Sequence, residues 1–136
     1  MQVSIDVNFS QEYLPVDILD LLLISGWSYQ YENNVNFLKS DDIDNYDWQS
    51  VDIDFFNFES FIDSHKSMGK VGIVIVCDNR VGGELLIYRD YLSFSLSINR
   101  RYLSRREIPD FNWYLERLSL FLDEIRYSSI KCEVIL

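Results

Sequence analysis

The residues that most constrain the fold lie between Val71 and Asn99. VGIVIVC is a continuous β-branched run suited to a central strand, DNRVGG is its turn, and ELLIYR returns. YLSFSLSIN then sets Leu92, Phe94, Leu96 and Ile98 against Ser93, Ser95, Ser97 and Asn99. Strands joined this closely form an antiparallel meander, and its apolar face has to be covered by something else in the chain.

The remaining patterns supply that cover. Val3, Ile5, Val7 and Phe9 alternate with Ser4, Asp6 and Asn8, the period of a strand with one buried face. Pro15 can open a helix and Gly26 close it, with the apolar VDILDLLLIS between them. Trp27, Tyr29 and Tyr31, then Val35 and Phe37, flank Glu32-Asn33-Asn34 and predict a hairpin, since asparagine tolerates the positive φ of tight turns. Phe58, Phe61, Ile62 and His65 make one helical stripe that Gly69 can end. Asp110 can cap a last helix, whose Phe111, Tyr114, Leu115, Leu118, Phe121, Leu122 and Ile125 keep helical spacing, and IKCEVIL follows as a strand. The expected class is α+β: a largely antiparallel sheet of about seven strands, with three helices packed on one face. The 136 residues fit one domain, 1–136.

The chemistry of catalysis is sparse. The single histidine, His65, falls on the apolar side of its helix, where a capping or partly buried role is the expectation. There is no G-x-S-x-G elbow, no phosphate-binding G-x-x-x-x-G-K-[ST] loop, no G-x-G-x-x-G and no H-E-x-x-H. An EF-hand frame begun at Asp42 reaches Asp47 where glycine is needed and Ile53 where glutamate is needed. Neither an enzyme nor a cofactor or metal is therefore expected. Cys77 and Cys132 sit in apolar runs without a C-x-x-C pattern and are expected to be small buried hydrophobes in a reducing compartment. MQVSIDVNFS lacks the basic start and apolar core of a signal peptide, and no stretch approaches a membrane span, so the expected location is the cytoplasm.

Charge is unevenly placed. Met1 to His65 hold 13 acids and one base, Lys39; Lys66 to Leu136 hold 9 acids and 11 bases, and the chain totals −10. Nucleic acid is disfavoured as a partner, because binding it releases counterions through lysine and arginine. The basic run RRYLSRR, Arg100 to Arg106, is expected to pair internally with carboxylates of the acidic half. The acidic excess peaks in DDIDNYDWQSVDIDFF, Asp41 to Phe56, with six aspartates, four aromatic residues and no base. A solvated connector has no use for Tyr46, Trp48, Phe55 and Phe56, and the crowded carboxylates repel one another in the free protein. A basic protein partner would offset that repulsion.

In size, acidity, α+β layout and this Asp/aromatic segment the chain resembles bacterial toxin-immunity proteins, including those of contact-dependent inhibition systems. The resemblance implies a cytoplasmic inhibitor, monomeric or weakly dimeric, that occludes a basic toxin, nuclease by type. On it, Asp41, Asp42, Asp44, Asp47, Asp52 and Asp54 steer and pair, while Tyr46 and Trp48 anchor. Trp113 and Leu120, off the main stripe of the last helix, form a second candidate patch. The rival readings are an acidic secretion chaperone or adaptor, which would dimerise through apolar surface, and a metal-dependent enzyme using the Asp cluster.

Overall fold

The computed structural model describes residues 1–104 and 107–136. The elements run β1 (Gln2–Phe9), α1 (Pro15–Ile24), β2 (Asn34–Phe37), β3 (Gln49–Asp52), a 3-10 turn (Ile53–Phe55), α2 (Phe58–His65), β4 (Lys70–Cys77), β5 (Val81–Tyr88), β6 (Tyr91–Ile98), α3 (Phe111–Asp123) and β7 (Tyr127–Ile135). The strands form one antiparallel sheet in the order β3-β2-β4-β5-β6-β1-β7. The α+β class, the seven strands and the three helices are as the sequence predicts.

Local chemistry explains the helix limits. Pro15 opens α1 at the position where its missing N–H costs nothing. Gly26, at φ +106°, ends it, with its amide donating to Leu23 O and the Trp27 amide to Leu22 O. Those two bonds, with the Ser25 amide on Leu21 O and Leu22 O, give the carbonyls of the last turn their partners. Asn57 and Asp110 cap α2 and α3 by accepting from the amides of Ser60 and Trp113.

One face of the sheet carries the core. Ile73, Leu85, Phe94 and Ile5 align across four neighbouring strands and are essentially inaccessible. Leu19 and Leu22 of α1, Phe61 of α2, and Tyr114, Leu118 and Phe121 of α3 close over them in one cluster. Burying each such side chain is worth about 1.5–3 kcal/mol, which makes this layer the main source of stability. The opposite face presents Asp6, Ser93, Ser95 and Glu84, positions one step out of phase with the buried row.

Four expectations are corrected. Residues 27–31 are not a regular strand: Ser28 makes an isolated bridge to Val76, and only the tight turn at Glu32 and Asn33, both at positive φ, belongs to a hairpin-like reversal. The seventh strand is instead β3, inside the acidic stretch, pairing Val51 with Val35. Cys77, at the end of β4, is half-buried, and Cys132 is exposed on β7, the edge strand of the sheet. Arg100 and Arg101 do not pair with the acidic half. Arg100 donates to Leu96 O and the Tyr102 hydroxyl, Arg101 lies 5.3 Å from the Trp113 ring centre, and among the described residues neither makes a salt bridge. Arg105 and Arg106 lie outside the described residues. Both Arg101 and Arg117 stand against the Trp113 ring, Arg117 at 3.8 Å from its centre, whereas Leu120 is 64% exposed.

Candidate functional site

The acidic stretch leaves β2, folds as a loop, returns as β3 and passes through the 3-10 turn into α2. Leu38 anchors its start. The Leu38 amide donates to Gly72 O, and its side chain lies where a Cβ on residue 72 would stand, 2.5 Å from Leu38 Cδ1. Only glycine at 72 lets the chain pass so close. The Leu38 carbonyl is held from the other side by His65, whose Nε2 lies 3.0 Å away, while His65 Nδ1 lies 2.7 Å from Phe61 O. His65 is fully buried, with its ring 4.0 Å from that of Phe61, and ties α2 to the root of the loop.

Within the loop Asp42 is an internal brace. Oδ1 accepts from the amides of Asn45 and Tyr46, and Oδ2 from that of Asp47 at 2.7 Å. The Asp47 amide above all, joined by those of Tyr46 and Asn45 and by the Lys70 charge, holds the Asp42 carboxyl below the usual carboxylate range. This cup bends the chain so that Tyr46 adopts φ +51° and turns back onto the sheet. The Tyr46 hydroxyl lies 3.4 Å from that of Tyr88, Lys70 Nζ stands 4.6 Å from the Tyr46 ring centre, and Lys70 also donates to Ile43 O. Burial first, then the Tyr46 hydroxyl, pushes the Tyr88 phenol upward. Lys70 and Tyr88 are cross-strand partners on the sheet face away from the helices. The loop is therefore pinned to that face.

The remaining carboxylates point elsewhere. Asp52 accepts from the Asp54 amide and caps the 3-10 turn. Asp41, Asp44, Asp47 and Asp54 are exposed, and among the described residues none forms a salt bridge. Of the eight sequence-predicted site residues, Asp42 and Asp52 thus spend their side chains on the local backbone, and Tyr46 is half committed to Tyr88 and Lys70. Trp48 is partly buried.

The sequence reading missed a groove. Phe37, Val51, Phe55, Phe56 and Phe61 line an apolar depression of about 530 Å³ between the β2–β3 hairpin and α2, with Asp41, Lys39 and Ser60 among its polar residues. Phe55 is 83% exposed, the most accessible aromatic side chain here. The signal that marks it is that Phe55 and Phe56 are adjacent, so only one of them can face the core, and the structure buries Phe56 against Tyr29, Phe37 and Phe61. No group of three or more His, Cys, Asp or Glu side chains able to hold a metal ion occurs among the described residues, and no helix there is long and apolar enough to cross a membrane. No protein family, curated protein or solved structure matches the chain.

Proposed function

We propose that this protein is an immunity-type inhibitor: it binds a basic protein, a toxin of nuclease type, and blocks it through the acidic edge of the sheet. The observation that carries the reading is an open apolar groove headed by an exposed Phe55, with Asp41 in its lining, in a segment whose exposed carboxylates Asp41, Asp44, Asp47 and Asp54 form no salt bridge among the described residues. The carboxylates sit where they repel one another, so the free protein gains by meeting lysines and arginines. The groove supplies what charge alone does not, a dry contact in which an aromatic or aliphatic anchor excludes water and slows dissociation. The bracing by Asp42 and Leu38 supports the same reading, because a preorganised loop loses little entropy on binding.

The test is a binding measurement against the partner captured from native lysate at low salt. Phe55→Ala should weaken the complex by at least about 2 kcal/mol if Phe55 is an anchor, while changing folding stability by under about 0.5 kcal/mol because the side chain is already exposed. Raising ionic strength should slow association far more than it speeds dissociation. A partner without a basic face, or an association rate flat with salt, overturns the proposal.

A further inference from the structure

β7 ends the sheet, and its one partner among the described residues is β1. Its outer edge therefore carries a row of free N–H and C=O groups over nine residues. Which residues own them follows from β1. The Phe9 amide donates to Asp90 O on the β6 side, and the Ser10 amide to Arg126 O on the β7 side. Alternation along β1 then turns Asn8, Asp6 and Ser4 toward β7, where they face Ser129, Lys131 and Glu133. Those three β7 residues spend their backbone groups on β1, so Ile130, Cys132 and Val134 aim theirs outward.

The same three residues share the side of the sheet that the helices cover elsewhere. Cys132 aligns with Ile5, which is inaccessible, yet Cys132 itself is exposed and Val134 is 38% exposed. Lys131 and Glu133 lie on the opposite side and form an ion pair. We propose that this edge pairs with the same edge of a second copy, antiparallel, about a two-fold axis passing between the two Cys132 residues. In that register Lys131 of each copy stands opposite Glu133 of the other, Ile130 stands opposite Val134, and each of these pairs occurs twice. Ile130, Cys132 and Val134 contribute about six backbone hydrogen bonds across the axis, since each offers one donor and one acceptor.

Charge selects this register over its neighbours. Outward-aimed groups meet only when the strand slides in steps that keep even-numbered residues opposite one another. One such step sets Lys131 against Lys131, and the step in the other direction sets Glu133 against Glu133. Like charges directly opposite are unfavourable, so of these three registers the Cys132-centred one alone is free of repulsion. The chain's net charge does not oppose it. The acidic loop belongs to the far side of the sheet, six strand spacings and about 30 Å away, several times the roughly 8 Å over which charge is felt at physiological salt. Sheet continuation at β7 also leaves the β3 edge free, whatever that edge binds.

The experiment is sedimentation velocity over micromolar to millimolar protein, with charge variants. The wild type should dimerise reversibly. Lys131→Glu and Glu133→Lys should each raise the dimer dissociation constant by about tenfold, because the symmetry applies every change at two positions. The double exchange, Lys131→Glu with Glu133→Lys, should restore wild-type dimerisation. A short bis-maleimide should cross-link the dimer through Cys132 and fail with Cys132→Ser, while Cys77→Ser should have no effect. Lys131 and Cys132 are exposed and Glu133 and Cys77 partly buried, and circular dichroism checks that each variant is folded. A chain that stays monomeric throughout, with Lys131 acting only to guard the edge, overturns the proposal. So does a dimer indifferent to both single reversals, or one that the double exchange does not rescue.

Discussion

Replacing His65 tests whether the one histidine is a structural bridge. Its Nε2 lies 3.0 Å from Leu38 O, a contact between residues 27 positions apart, and its ring packs at 4.0 Å on Phe61. In His65→Ala the Leu38 carbonyl loses its buried partner, which costs about 1–3 kcal/mol, and the missing ring leaves a cavity worth about 2 kcal/mol more. The expected loss is about 3–5 kcal/mol from a total of roughly 7–20 kcal/mol for a chain of this length. With a urea m-value of about 2 kcal/mol per molar, the unfolding midpoint followed by tryptophan fluorescence should fall by about 1.5–2.5 M at unchanged slope. His65→Phe keeps a ring in place but still orphans the carbonyl, so it should fall between wild type and alanine, near 1–3 kcal/mol. An alanine variant within about 0.5 kcal/mol of wild type would refute the bridge. Loss of an enzymatic turnover at unchanged stability would show His65 serving chemistry instead.

Two further outcomes are expected. Asp42 has a folded-state pKa below its unfolded value, so the order it confers on the loop is complete above about pH 4 and fades as pH falls through the depressed value. The protection factors of the Asn45, Tyr46 and Asp47 amides, taken against the intrinsic exchange rate at each pH, should be constant near neutrality and fall only in acid, and Asp42→Asn should lower them at neutral pH; protection already lost near pH 6 would contradict the brace. Gly83→Ala should give no folded protein, since its Cβ would sit 1.7 Å from Ser95 O, whereas Gly26→Ala meets nothing within 4 Å and should cost only about 1 kcal/mol for its positive φ. Comparable thermal midpoints for the two variants would show that Gly83 is not pressed against β6.

Much of the architecture was legible because it depends on local period and local capping. The alternation of β1 and β6, the doubly buried run of β4, the Pro15–Gly26 limits of α1 and the Asp110 cap are all settled by residues within a few positions of one another. The same locality marked the Asp41–Phe56 segment as unlike a connector, from composition alone. Tertiary structure decided what distant partners impose. Val51 becomes strand because Val35 offers it an edge, whereas residues 27–31 meet β4 at the single Ser28–Val76 bridge and stay irregular. Asp42 turns inward because three amides converge on it, while Asp44, of the same chemistry, points to water. Cys132 lies in an apolar run yet meets solvent, because the insertion of β1 between β6 and β7 leaves β7 at the edge of the sheet. A side chain's type sets what it can do. Which face it occupies, and what stands across from it, follows from strand order, and no short-range pattern in the chain encodes that order.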